Sequence, residues 1–95
     1  MIMVLGVLQI EFQIPEARSL KDKRRVVKSL KDRIANGHNV SIAEVGLQDV
    51  HQQAMLAMAM VSNDKRYVES GLSKLVDLVR DVPQVNLLDY KIELM

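Results

Sequence analysis

Cysteine is absent from the 95 residues, which excludes a disulfide framework and thiolate metal sites. Proline occurs twice and glycine four times, too rarely for a low-complexity or disordered chain. No apolar run approaches the roughly eighteen residues that a membrane-spanning helix needs, and no basic segment precedes the apolar start of the chain. We therefore expect one soluble, cytoplasmic domain that comprises residues 1–95.

Aromatic residues and histidines are also scarce. The aromatic residues are Phe12, Tyr67 and Tyr90, so the chain offers few surfaces on which bases or sugars could stack. The two histidines, His38 and His51, lack the spacing of known metal-binding or catalytic motifs. The sequence therefore predicts no catalytic residues, no metal site and no cofactor.

Positive charge is concentrated in one segment of the chain. The net charge is +1, but residues 18–33 carry +6 and all other residues together carry −5. A protein polarised in this way can bind a polyanion through one face and remain soluble. Residues 18–33 are therefore the predicted location of a binding surface.

Hydrophobic periodicity predicts four strands and two helices. Residues alternate with period two over 4–14 and 88–94, as strands do. Residues 40–47 are rich in β-branched side chains, and residues 54–61 are apolar on both faces, as in a central strand. Apolar residues recur at intervals of three and four over 20–34 and 68–79, as helices with one buried face do. In the last strand, Leu88, Tyr90, Ile92 and Leu94 alternate with charged residues.

Local signals define the ends of both helices. Ser19 is expected to cap the first helix, with Asp22 in the spacing of a capping box, and Asn36 with Gly37 is expected to end it. The second helix has three candidate caps, and its first turn could instead present amide groups to an anion. The candidates are Ser62, Asn63 and Asp64.

The order β-α-β-β-α-β predicts an α+β, ferredoxin-like fold. With right-handed crossovers, two helices cover one face of a four-stranded antiparallel sheet, and the first and third strands are central. The other face stays open, and Met3, Leu5 and Val7 are expected on it. Because an exposed apolar face commonly marks an interface, we expect a homodimer through this face of the sheet.

The basic residues of the first helix are the strongest functional signal. At about 100° per residue, five of them fall within a third of the helix circumference. This set, the basic stripe, consists of Lys21, Arg24, Arg25, Lys28 and Lys31. We expect it to lie opposite the apolar residues, to face solvent and to contact phosphates of a nucleic acid. The alternative is a charged helix face that is only solvated.

Two further charged residues, Lys23 and Asp49, have structural roles that their positions predict. Lys23 falls among the apolar positions of the first helix, where we expect its stem to pack and its ammonium group to reach the edge of the core. The alternative is a functional lysine in a pocket. Asp49 lies in the turn before the third strand, and we expect its side chain to bond backbone amides there.

Residues 18–33, RSLKDKRRVVKSLKDR, resemble the signature helix of the YlxP-like bacterial proteins, an uncharacterised family. Further similarity lies at residues 39–45 (NVSIAEV), 48–49 (QD) and 61–64 (VSND). The resemblance implies a ferredoxin-like fold without an established enzyme activity. It also implies a gene beside those for a translation initiation factor and a ribosome-binding factor.

These observations favour an RNA- or ribosome-associated accessory module that binds phosphates through the basic stripe. The alternative is a dimeric protein–protein interaction module that recognises an acidic partner surface through the same residues. A small phosphate-cleaving enzyme is disfavoured, because the loop at residues 15–18 (PEAR) lacks the glycine of a phosphate-cradling loop. We therefore expect no enzyme activity and no small-molecule substrate.

Overall fold

The computed structural model describes residues 2–95. Its elements, in chain order, are β1 (Val4–Gln13), α1 (Leu20–Ala35), β2 (Ser41–Gly46), β3 (Gln53–Ser62), α2 (Lys65–Arg80) and β4 (Asn86–Leu94). The strands form one antiparallel sheet in the order β2-β3-β1-β4, so β1 and β3 are central as predicted. This arrangement, with both helices on one face, confirms the α+β, ferredoxin-like fold.

The core lies between the sheet and the two helices. On β1, Leu8, Ile10 and Phe12 alternate towards the helices and are fully buried. The helices complete the core with the apolar positions that their periodicity predicts. These positions are Val27, Leu30 and Ile34 on α1, with Val68, Leu72, Leu75, Val76 and Val79 on α2.

The first helix begins and ends where its capping residues predict. The Ser19 hydroxyl oxygen accepts a hydrogen bond from the Asp22 amide at 3.1 Å, and the Asp22 carboxylate accepts one from the Arg18 amide at 3.0 Å. After α1, Gly37 adopts a positive φ of 85°, which a residue with a side chain rarely tolerates. These contacts fix the register of the helix that carries the basic stripe.

Strand β4 departs from its predicted alternation at a β-bulge. Glu11 pairs with Asp89, whereas the next residue of β1, Phe12, pairs with Leu87. Leu88 is therefore the extra residue, and its side chain is 48% exposed. The alternation is interrupted at Leu88, because the bulge gives the position that packs against the core to Leu87.

The loop between β2 and β3 is closed by the backbone. Leu47 adopts the left-handed conformation, with φ of 57°, and its carbonyl oxygen accepts a hydrogen bond from the Val50 amide at 3.0 Å. Asp49 is exposed, and its side chain makes no hydrogen bond within residues 2–95. The expectation that the Asp49 carboxylate closes this turn was therefore wrong.

The face of the sheet opposite the helices, the open face, is apolar over part of its area. Its apolar residues are Leu5 and Val7 on β1, Met55, Ala57, Ala59 and Val61 on β3, and Ala43 on β2. Met3 is exposed just before β1. On β4, the ammonium group of Lys91 lies 2.7 Å from the Glu93 carboxylate, whose hydrogen bond and negative charge raise the pKa of Lys91.

Candidate nucleic-acid interface

The basic stripe lies along one flank of α1. The side chains of Lys21, Arg24, Arg25 and Lys28 are exposed, whereas Lys31 is half-buried. Lys31 follows the buried Val27 by four residues, so the two side chains are only about 40° apart around the helix. The prediction that all five cations lie opposite the core was therefore wrong for Lys31, which borders the side of α1 that faces β2.

Most cations of the basic stripe lack an acidic partner. The Lys28 ammonium group lies 3.1 Å from the Asp32 carboxylate, one turn further along α1. The other four form no ion pair within 4.0 Å in the part of the chain that the structure describes. On α2, by contrast, Lys65 and Arg80 each have an acidic neighbour on the same helix. The positive charge of α1 is thus left largely uncompensated.

A groove runs between the basic stripe and the edge strand β2. This α1–β2 groove has a volume of about 340 Å³, within the range of pockets that hold small ligands. Its lining combines three cations of the stripe with two carboxylates and one apolar side chain. The lining residues are Arg24, Val27, Lys28, Lys31, Asp32 and Glu44. Such a lining can contact a charged group and a hydrogen-bond donor together.

Lys23 lies beneath this groove as a buried cation. Its side chain is 1% exposed, and its ammonium group donates a hydrogen bond to the Leu47 carbonyl oxygen at 2.5 Å. The same ammonium group lies 3.1 Å from Oε2 of Glu44. The expectation that the Lys23 ammonium group reaches the edge of the core was therefore wrong. The ammonium group stays buried because the Glu44 carboxylate of β2 and the Leu47 carbonyl oxygen of the following loop contact it there.

The two carboxylate oxygens of Glu44 have different surroundings. Oε2 is buried and, although it lies close to the Lys23 ammonium group, the angles do not make a hydrogen bond. The side chain as a whole remains 21% exposed. Oε1 has no hydrogen-bond partner within residues 2–95 and is not among the buried atoms without one, so it is open to the groove.

Sequence reasoning missed Glu44 as a member of this site, although a signal was present. On β2, Glu44 shares its face with Ile42, which packs against the core. Lys23 likewise occupies an apolar position of α1. Two opposite charges, each in an otherwise apolar row on neighbouring elements, indicate a buried ion pair. The pairing of these two rows could have been inferred from the predicted fold.

The other predicted candidates are not brought together. His51 and Asp49 are exposed in the β2–β3 loop. His38 forms a hydrogen bond between its Nδ1 atom and the Ile34 carbonyl oxygen, at 2.9 Å. No three His, Cys, Asp or Glu side chains converge anywhere in residues 2–95. Neither helix has the length and apolar character required to cross a membrane, over the same residues.

The first turn of α2 is occupied by its own cap. The Asp64 carboxylate accepts hydrogen bonds from the amides of Arg66, at 2.9 Å, and Tyr67, at 3.4 Å. Asp64 is thus the cap among the three candidates. Its negative charge lies where an anion would have to bind, which favours the capping interpretation over an anion site.

The similarity of the sequence to known proteins covers almost all of these elements. Residues 5–92 match the family described as protein of unknown function (DUF503). The chain belongs to this family. It is also 34% identical over 82 residues to the uncharacterized protein YlxP of Bacillus subtilis (strain 168), covering 86% of this chain and 89% of that protein. The family expected from residues 18–33 is therefore confirmed.

The fold of this DUF503 member also occurs in a designed protein. The solved structure of the de novo designed protein Foldit4 aligns with a TM-score of 0.52 over 96% of both chains, at 13% sequence identity. An identity this low shows a shared fold alone. The features of this chain that bear on its function are the basic stripe and the groove beside it.

Proposed function

We propose that this DUF503 protein is an RNA- or ribosome-associated accessory module that binds the phosphate backbone through the basic stripe. The observation that carries the proposal is the row of cations on α1, four of which have no acidic partner within residues 2–95. The gene neighbourhood implied by the YlxP-like resemblance supports a role near the ribosome. We expect a binding protein rather than an enzyme.

The spacing of the basic stripe suits a chain of phosphates. From Lys21 to Lys31 the helix rises about 15 Å, at about 1.5 Å per residue. Phosphates follow one another at intervals of several ångströms along a nucleic-acid backbone, so a helix of this length can contact several of them at once. Arginines at two of the five positions add paired donors that match the geometry of phosphate oxygens.

Aromatic side chains are poorly placed to read bases. Phe12 is buried, and Tyr90 lies on the helix side of β4, where the Arg80 guanidinium group lies 5.6 Å from its ring centre. Tyr67 is exposed, but on α2 rather than on the sheet. Binding is therefore expected to depend on phosphate contacts and RNA shape rather than on base stacking across the sheet.

Charge reversal on α1 tests the proposal directly. We expect the variant Arg24→Glu, Arg25→Glu, Lys28→Glu to lose binding to structured RNA, because three phosphate-binding cations become anions. For the wild type, the logarithm of the association constant should fall with the logarithm of the salt concentration at a slope of about −3, if about four phosphates are neutralised. The measurement is a salt-titrated binding assay, with folding followed by circular dichroism.

A matched control separates the position of the charge from its amount. The variant Lys65→Glu, Arg66→Glu, Lys74→Glu changes the net charge equally but alters exposed residues of α2. It should weaken RNA binding far less than the α1 variant. Equal loss in both variants, or unchanged affinity in a folded α1 variant, would contradict a binding surface on the basic stripe.

An acidic protein surface is the alternative partner for the same residues. Treatment with nuclease before affinity purification distinguishes the two, since an RNA-dependent partner is lost and a protein partner remains. Absence of wild-type affinity for structured RNA at low salt, together with a nuclease-resistant partner that the α1 variant loses, would overturn the RNA proposal in favour of this alternative.

A further inference from the structure

The α1–β2 groove places a carboxylate opposite a cationic wall. Arg24 and Lys31 contribute positive charges without an acidic partner in residues 2–95, while Lys28 is paired with Asp32. Glu44 lies on the opposite, β2 side of the groove. An anion at this position would weaken a surface that bound phosphate by charge alone, since phosphate and carboxylate repel each other.

The Glu44 carboxylate is anchored on one side by an ion pair. Its buried oxygen, Oε2, lies 3.1 Å from the Lys23 ammonium group, which is anchored in turn on the Leu47 carbonyl oxygen. Lys23 itself is fixed, because its side chain is buried among the core residues of α1. The second oxygen, Oε1, therefore faces the groove in a preorganised position and has no donor from residues 2–95.

A carboxylate oxygen accepts hydrogen bonds and cannot donate them, so its partner in a bound molecule must be a donor. In an RNA backbone the donor nearest to a phosphate is the ribose 2′-hydroxyl, which DNA lacks. On the basis of the function proposed above, we infer that Glu44 accepts a hydrogen bond from a ribose 2′-hydroxyl while the basic stripe holds the adjoining phosphates. The α1–β2 groove thereby selects RNA over DNA.

The choice of a sugar hydroxyl over a base amino group follows from position. The cations that would hold phosphates and the carboxylate line one groove of about 340 Å³, so the donor must come from a group close to the phosphate. The sugar is attached directly to the phosphate, whereas the base edges project away from the backbone. A 2′-hydroxyl contact is also the same for every base, as the phosphate contacts are.

The test compares strands of one sequence that differ only at the 2′ position. Wild-type protein is titrated with RNA, with DNA and with 2′-O-methyl RNA, which keeps the RNA helix shape but cannot donate. We expect RNA to bind about tenfold more tightly than the other two, the effect of one hydrogen bond to a charged group. This arm needs no variant, so it does not depend on how a substitution affects folding.

Two variants then assign the preference to Glu44. In Glu44→Gln, affinity for RNA should fall while affinity for DNA rises, because the acceptor charge and its repulsion of phosphate are both removed. Asp32→Asn is the matched control, since Asp32 lines the same groove but is paired with Lys28. It should strengthen binding of RNA and DNA alike and leave their ratio unchanged. Thermal unfolding by circular dichroism verifies that both variants are folded.

The outcomes separate the two proposals. Equal binding of RNA and DNA by the wild type, or an unchanged ratio in Glu44→Gln, overturns the role of Glu44 but leaves phosphate binding by the basic stripe standing. Binding of 2′-O-methyl RNA as tight as that of RNA also overturns it, since helix shape would then explain the preference. A Glu44-dependent preference among DNA sequences would point to a base amino group instead and overturn it too. Binding of none of the strands overturns both proposals.

Discussion

The ammonium group of Lys23 contacts two oxygen atoms from a single segment of the chain, one on Glu44 and one on Leu47. Removing a cation from water is unfavourable, and these contacts offset that penalty only while both are present. The Leu47 carbonyl oxygen belongs to a residue with a positive φ, which is uncommon for a side chain of this size. The pair thus fixes the end of β2 against α1.

Substitution of Lys23 tests this account of the buried charge. We expect Lys23→Met, which retains most of the apolar stem, to lower the free energy of unfolding by about 2 kcal/mol, since Glu44 loses its partner. The double variant Lys23→Met, Glu44→Gln should recover part of that loss, because no uncompensated charge remains. Urea denaturation of both variants measures the difference. A single variant as stable as the wild type would show that the ion pair is dispensable.

At the scale of elements, α2 packs closely against the sheet at Gly6 on β1. A Cβ atom at Gly6 would lie 2.3 Å from Cγ1 of Val68 and 2.8 Å from Cδ1 of Leu72, both buried on α2. At Gly71, on the helix itself, a Cβ atom would meet the terminal Cε of Met60 at 2.7 Å. The first contact is with branched side chains in the core, and the second is with the flexible end of a methionine.

Alanine at these two glycines should therefore have different effects. Gly6→Ala is expected to lower the free energy of unfolding by about 2 kcal/mol or more, because α2 must move away from β1. Gly71→Ala should change stability little, since a gain of about 1 kcal/mol in helix propensity offsets the displacement of Met60. Chemical denaturation of the two variants side by side measures the contrast. A larger loss of stability for Gly71→Ala than for Gly6→Ala would contradict this packing.

Sequence patterns predict the elements better than the contacts between them, and particular residues show why. Ser19 and Gly37 mark the ends of α1 through bonds and backbone angles local to the chain, so their roles could be predicted. The bulge at Leu88 depends on how β4 pairs with Glu11 and Phe12, which no local pattern records. Lys23 and Glu44 are likewise distant in sequence, so their pairing follows only from the arrangement of α1 and β2.

At the scale of the whole molecule, the open face is the largest unpartnered apolar surface of the sheet. Across the β1–β3 pair, Leu5 lies opposite Val61 and Val7 lies opposite Ala59, so their side chains form one contiguous apolar area. An apolar surface of this kind can pack against a copy of itself about a two-fold axis. We propose that two copies of the chain associate through this face.

A lysine within this surface should separate the copies. We expect Leu5→Lys to remain folded, because Leu5 lies on the open face and not in the core, and to sediment as a smaller species than the wild type. Ser73→Lys adds the same charge at an exposed position of α2 and should leave the mass unchanged. Analytical ultracentrifugation is the measurement. A wild-type protein that sediments as a monomer at micromolar concentration would contradict the dimer.

The two layers of the fold differ in charge as well as in secondary structure. The helices together carry eleven basic and four acidic residues, whereas the four strands carry one basic and four acidic residues. The separation of charge gives the molecule an electric dipole roughly perpendicular to the sheet, with its positive end at the helix layer. The field of a polyanion exerts a torque on this dipole, which turns the helix layer towards the polyanion before any atom makes contact. The fold therefore acts on the rate of encounter as well as on the contacts that follow.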